Sequence, residues 1–338
     1  MMKIYLSLVL WFLSGCGYAV AANVGFDQSI LYGDSDRPLK VSVWYPSKDV
    51  FPTEKIAENR AFVGTNVVRI GTPLAGKFPL VVISHGYRGS WRNQNWLATT
   101  LVQDGYVVAA LDHPGTTSFD HAPDDAAKWW ARPQDMSRLL DWLLSKADFK
   151  RFIDPTNITA IGHSLGGWTV MSLAGAKVDI EQLSAECLPS PNSRVCGLRS
   201  ELGLFDDKPL SVTSLRDERV KRVVSLDLGL ARSFSKPSLK ILPVPTLILA
   251  AGVDIGDLPQ TEESGFLAKY IPKHHREYIV YPDATHFSFM QLCKPGAVEL
   301  IEEEEPGDGI VCQDGNWRTR DELHQAMYRD IIQFIQAS

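Results

Sequence analysis

The sequence predicts an α/β protein, with a mostly parallel central sheet covered by helices on both faces. Three observations carry that expectation. Apolar runs of buried-strand length recur at 78–84, 106–111, 158–161, 220–226 and 246–251. Helix-compatible stretches alternate with them, as parallel strand–helix–strand units require. One of the runs ends directly in Gly162-His163-Ser164-Leu165-Gly166, and a second apolar run, compatible with a helix, follows it. Continuous rather than alternating apolar residues are what a strand buried on both faces needs.

In chain order, 24–31 and 39–45 read as strands joined through the turn Gly33-Asp34-Ser35-Asp36. Residues 51–77 are rich in Gly and Pro and read as an irregular surface excursion. The strand at 78–84 leads to a helix at 93–104, ended by Gly105, and then to the strand at 106–111. A helix at 133–146 carries Asp135, Arg138 and Asp141 on its expected polar side. After the Ser164 segment, 177–218 holds Cys187 and Cys196 among turn residues without a strand pattern, so it reads as an insertion over the sheet. Strands at 220–226, 246–251 and 277–281, with helices at 262–270 and 320–337, complete the chain. Residues 23–338 thus read as a single domain, with 177–218 as its insertion, no internal repeat and no low-complexity linker.

Composition bounds the function. Of 338 residues 45% are hydrophobic and 22% charged, ordinary for a folded chain with a large core. The formal charge of −6 offers no basic footprint, which argues against a nucleic-acid partner. The run Glu302-Glu303-Glu304-Glu305 reads as a solvated loop between Pro/Gly flanks, not a metal site.

Residues 1–22 read as a secretory signal, with Lys3 ahead of an apolar stretch at 4–13 that is too short to span a bilayer comfortably. Val20-Ala21-Ala22 allows cleavage before Asn23, whereas Leu13-Ser14-Gly15-Cys16 matches a lipobox that would tether the protein to a membrane through Cys16. Only a few residues separate Cys16 from the first strand, so soluble export to the periplasm or outside the cell is the expected outcome. Export also changes how Cys187, Cys196, Cys293 and Cys312 read: an even number in an oxidising compartment suggests two disulfides. Pairing nearest neighbours closes two local loops, while sequence alone leaves three connectivities open. A zinc site is not expected, because there is no C-x-x-C pair.

The chemistry centres on Ser164. G-x-S-x-G at a strand–turn–helix junction is a nucleophile elbow, in which Gly162 and Gly166 relieve the crowding of a very tight turn. The helix that follows points free N–H groups and a positive dipole end at the hydroxyl. A serine hydroxyl is a weak nucleophile and needs a base, an orienting acid and an oxyanion hole. His286, in Asp283-Ala284-Thr285-His286-Phe287 just past the last strand, is the expected base. His274 and His275 read as solvated, and His324 as surface or packing. The expected acid is Asp254, after the strand at 246–251, with Asp227 and Asp257 as alternatives. The oxyanion donors are expected to be the backbone N–H groups of Leu165 and Tyr87, with Gly86 allowing its loop to turn sharply and His85 supporting that loop by hydrogen bonding. Trp91, Trp129, Trp130 and Trp168 are candidates to line an apolar pocket.

Ser84-His85-Gly86, Asp112-His113-Pro114-Gly115, Gly162-His163-Ser164-Leu165-Gly166-Gly167 and Asp283-Ala284-Thr285-His286-Phe287 together resemble the α/β-hydrolase superfamily. Within it, the chain is similar to bacterial dienelactone-hydrolase-like proteins and secreted platelet-activating-factor acetylhydrolases, from residue 24 to the C-terminus. The resemblance implies a sheet of about eight strands with the second antiparallel, a lid-like insertion, the order serine, acid, histidine along the chain, and neither metal nor cofactor. It also implies hydrolysis of small-molecule or lipid esters through an acyl-enzyme. Two departures stand out. Pro245 and Asp254 keep the spacing of the usual acid motif, but Pro259 falls one residue late and Asp257 intervenes. In the acetylhydrolases the acid follows the earlier strand, at a position resembling Asp227. Ser164 stands where a dienelactone hydrolase proper has cysteine. The alternative readings are an sn-2 phospholipid acetylhydrolase and a catalytically dead binding protein on the same fold.

Overall fold

The computed structural model describes residues 23–189, 194–197, 202 and 215–337. Ten strands lie within them: β1 Asn23–Leu31, β2 Leu39–Ser47, β3 Glu54–Ile56, β4 Thr65–Arg69, β5 Phe78–Ser84, β6 Val107–Asp112, β7 Ile153–His163, β8 Arg222–Leu226, β9 Thr246–Val253 and β10 Arg276–Thr285. Among the described residues they form one sheet in the order β10-β9-β8-β7-β5-β6-β2-β1-β4-β3. The strands from β6 to β10 run parallel, and β2 is antiparallel to both β1 and β6. Eight strands form the expected frame, and β3 and β4 extend its far edge.

Alternation along the central strands divides the core. Leu80 and Val82 of β5, and Val107, Ala109 and Leu111 of β6, face one layer with Met136, Leu139, Leu143 and Trp168. Val81, Ile83, Val108 and Ala110 face the other, with Leu97, Leu101, Leu323 and Met327. The helices Arg132–Ser145 and Leu165–Ala174 therefore cover one face, and Asn95–Gln103 and Arg320–Ala337 the other. Side chains on a strand point alternately to opposite faces, so a run that is apolar throughout fills both layers.

Three expectations are corrected. The stretch 51–77 contains β3 and β4; Val67 and Val68 are buried, and Val68 sits in parallel register with Gly25 of β1. Two adjacent valines suffice to extend the edge, although the surrounding Gly and Pro hide them in the composition. The acidic run is not a loop: Ala297–Glu304 is helical, and the Glu302 carboxylate accepts from the N–H groups of Gly307 and Gly309 at 2.9 and 3.1 Å. Asp135, expected on a polar helix face, is buried and clamped by Arg37 at 2.8 and 2.7 Å.

Cys187 pairs with Cys196 and Cys293 with Cys312, the nearest-neighbour connectivity. Residues 1–22, including Cys16 and the cleavage site before Asn23, lie outside the described residues, as does part of the expected 177–218 insertion. Among the described residues no helix is long and apolar enough to cross a membrane.

Candidate active site

β7 ends at His163, the helix Leu165–Ala174 begins at once, and Ser164 bridges them at φ 55°, ψ −121°. A non-glycine residue at positive φ is strained, and such strain persists only where its surroundings over-determine it. Here they do. A Cβ on Gly162 would run into the Gly166 carbonyl, and one on Gly166 into the Ser84 carbonyl, so both positions exclude side chains. Ser164 N–H donates to Leu226 O at 3.0 Å, tying the turn to β8. The Ser164 carbonyl accepts from Gly167 and Trp168 N–H. The Leu165 N–H heads the helix, where no carbonyl one turn earlier exists to take it.

His286 opens a short 3-10 turn, His286–Phe289, directly after β10. Thr285 caps that turn, its N–H donating to Ser288 Oγ at 2.9 Å. His286 Nδ1 donates to Asp227 Oδ2 at 2.7 Å, and both side chains are buried. A proton on Nδ1 leaves Nε2 as an acceptor, the tautomer a general base needs. Asp227 is itself fixed: its N–H donates to Leu249 O at 2.7 Å and its Oδ1 accepts from Ala251 N–H at 2.9 Å.

The structure sets Asp227, and not the expected Asp254, against His286. β9 runs two residues further than its apolar stretch, to Val253, and pairs there with Thr285 of β10. That extension carries Asp254 beyond the site to an exposed position, where its Oδ1 accepts from the N–H groups of Gly256 and Leu258 at 3.2 and 3.0 Å. Asp257 accepts from Arg194 N–H at 2.8 Å.

Ser164 and His286 line one cleft of about 350 Å³. Tyr87 and Leu165 line it too, together with Arg194, Val195 and Leu202 from 177–218 and with Phe287, Met290, Ile310 and Val311. The aromatic contribution comes from Tyr87 and Phe287. None of the four candidate tryptophans is among the lining residues; Trp91 packs on Phe26 and Trp44, and Trp129 lies 4.3 Å from Trp168 in the core.

The buried histidines outside the Ser164–His286 pair serve as cross-links. His85 Nε2 accepts from His113 N–H at 3.0 Å, so its Nδ1 donates to the Gly86 carbonyl at 2.7 Å. His324 stacks on Trp96 and donates from Nε2 to backbone carbonyls, and His274 is exposed. His163 was not singled out from the sequence. Its Nε2 donates to the His286 carbonyl at 2.9 Å, its ring lies 4.7 Å from that of His286, and burial lowers its pKa to about 3. A neutral imidazole therefore braces His286. Sequence reasoning also missed a buried polar cluster of Ser84, His113, Arg132 and Asp135, although two of the motifs quoted above contain its first two members. Among the described residues no group of three or more His, Cys, Asp and Glu side chains is disposed to hold a metal.

The sheet order, the elbow and the cleft at the strand ends define the α/β-hydrolase fold. Residues 48–189 match the family model described as PET hydrolase-like; that span includes Ser164 but stops short of Asp227 and His286. Cutinase est1 of Thermobifida alba is 30% identical over 103 residues, 30% of this chain and 32% of that protein. Bis(hydroxyethyl) terephthalate hydrolase of Streptomyces coelicolor is 27% identical over 106 residues, 31% of each chain. The chain thus spans about a third of the length of these relatives. A ferulic acid esterase structure from Streptomyces cinnamoneus superposes with a TM-score of 0.63 at 19% identity, covering 94% of this chain and 90% of that one, a likeness of fold.

Proposed function

We propose that the protein is an exported serine hydrolase that cleaves carboxylic esters through an acyl-enzyme. Ser164 attacks the carbonyl, His286 takes its proton and later gives it to the leaving alcohol, and Asp227 holds His286 in one tautomer. The N–H groups of Leu165 and Tyr87 receive the oxyanion. Water activated by His286 then releases the acid. The observation that carries this reading is the 2.7 Å bond from His286 Nδ1 to buried Asp227, in the cleft that Ser164 also lines. The names of the partial relatives, cutinases and a terephthalate-ester hydrolase, support ester substrates as the class. Two disulfides support export, periplasmic or secreted.

Turnover of p-nitrophenyl acetate and butyrate tests the reading. Ser164→Ala should cost roughly 10⁴–10⁶ in kcat and abolish fluorophosphonate labelling. Labelling that persists in the folded variant rules out Ser164 as the nucleophile. Intact mass of exported protein should begin at Asn23; a lipidated Cys16 terminus would replace soluble export with a membrane tether.

A further inference from the structure

Arg132 opens the helix Arg132–Ser145 and is fully buried. A buried guanidinium is costly unless its donors are met, so where they are met says what the residue is for. Nη2 donates to the carbonyl of His85 and to Ser84 Oγ, the latter at 3.2 Å. Nη1 donates to Thr116 Oγ1 at 2.8 Å, and Nε to Thr169 Oγ1 at 3.1 Å. The Thr169 hydroxyl in turn donates to the Leu165 carbonyl at 3.0 Å. One side chain thus grips the strand-end loop that leads into Tyr87 and, through a single hydroxyl, the first turn of the helix headed by Leu165. The two segments also touch directly, since Gly166 packs on the backbone of Ser84 and His85, and the position of Gly86 lies against Ser164 Cβ.

Beneath Arg132 a second Ser–His–Asp line runs through the interior. Ser84 Oγ lies 2.9 Å from His113 Nε2, and His113 Nδ1 lies 3.0 Å from Asp135, which Arg37 clamps. With Nδ1–H directed at the carboxylate, Nε2 accepts from the serine hydroxyl, leaving Ser84 Oγ free to accept from Arg132. All three side chains are buried away from the cleft, so this line acts as scaffold and not as a second nucleophile.

We infer that Arg132 is a positioning residue that holds the two oxyanion donors, Tyr87 N–H and Leu165 N–H, at a fixed separation. The inference rests on the esterase reading above. Each donor belongs to a different segment, and a displacement of about 1 Å in a catalytic array can cost roughly 10² in rate. Arg132 is the side chain bonded to both segments. Lysine has one donor head in place of a planar fork and reaches one segment at a time.

The test uses the mature enzyme and kinetics expressed per active site, counted by fluorophosphonate labelling run to completion. If the wild type neither turns over p-nitrophenyl esters nor labels, the esterase reading itself has failed. Given an active wild type, Arg132→Met should lower kcat per labelled site roughly 10²-fold with KM within about threefold, since a misplaced oxyanion hole weakens only the transition state. The Ki of a trifluoromethyl ketone, which forms a tetrahedral adduct, should rise in proportion, while the Ki of the product carboxylate stays constant. Arg132→Lys should recover part of the loss. Fewer labelled sites with normal kcat per site would reduce Arg132 to a packing residue and overturn the inference. If Arg132→Met does not fold, Thr169→Val removes the link to Leu165 alone and should cost about tenfold in kcat and in trifluoromethyl-ketone affinity. An unchanged kcat per site in a folded Thr169→Val overturns the inference equally.

Discussion

At the scale of single residues, the site turns on which carboxylate faces His286. Asp227 and Asp254 are both aspartates at strand ends, and only the first is buried, held by Leu249 and Ala251, and bonded to the imidazole. An acid in that position stabilises the imidazolium formed during attack without taking up the proton. Asp227→Asn should therefore lower kcat by roughly 10⁴ with little change in KM. Asp254→Asn, which only weakens an exposed turn, should retain at least about a tenth of the activity. The two variants are to be compared at matched melting temperature, so that lost folding is not read as lost catalysis. A dead Asp254→Asn beside an active Asp227→Asn would reverse the assignment.

At the scale of elements, the segment 293–312 closes one side of the cleft. The Cys293–Cys312 disulfide joins its ends, Arg320 bonds Gln291 O, Val311 O and Asp314, and Ile310 and Val311 face the cleft. Its neighbour, the His286 turn, is tied to the residues just past that segment by Thr285 Oγ1 donating to Gln313 O and Ser288 Oγ to Asp314. A cross-link spanning 19 residues contributes about 3 kcal/mol by restricting the unfolded chain. Replacing both cysteines by serine should lower stability by about that amount in denaturant titration. It should also raise KM more than it lowers kcat, because the wall loosens while Ser164, His286 and Asp227 keep their own anchors. Unchanged KM in the folded double variant would mean that Arg320 alone holds the wall.

At the scale of the whole molecule, buried ionisable groups set the pH range of stability. Glu263 is buried beside Arg232 and accepts from Ala231 N–H, and burial, the largest cause, raises its pKa from 4.5 to about 7. The folded state therefore binds the proton more tightly than the unfolded state. Its contribution is complete below the unfolded value of 4.5 and is lost as pH rises through about 7. Melting temperature should fall from about pH 5 to about pH 8 more steeply in the wild type than in Glu263→Gln. Parallel curves would mean that folding leaves the proton affinity of Glu263 near its unfolded value. His163 and His324 act in the opposite sense, since burial lowers both to about 3. Their stability contribution is complete above about 6.5 and drains away as pH falls toward 3.

The sequence by itself determined the order of strands and helices around Ser164, because an apolar run buried on both faces and a glycine-flanked serine are local patterns. It also pointed to His286, which stands directly after the last strand, and to two disulfides among four cysteines, while leaving their connectivity open. Local patterning failed where composition masked a short run, as at Val67 and Val68, or where Pro and Gly bracketed a real helix, as at Ala297–Glu304. Only the tertiary structure shows which of Asp227 and Asp254 lies against His286. Both follow apolar strands, and the choice depends on β9 continuing to Val253 and carrying Asp254 past the histidine. It alone also gathered Arg132, Ser84, His113 and Asp135, which come from three separate stretches of chain. Their polar character suggests a surface until the sheet and its helices close around them and they bond to one another and to neighbours such as Arg37, Thr116 and Thr169.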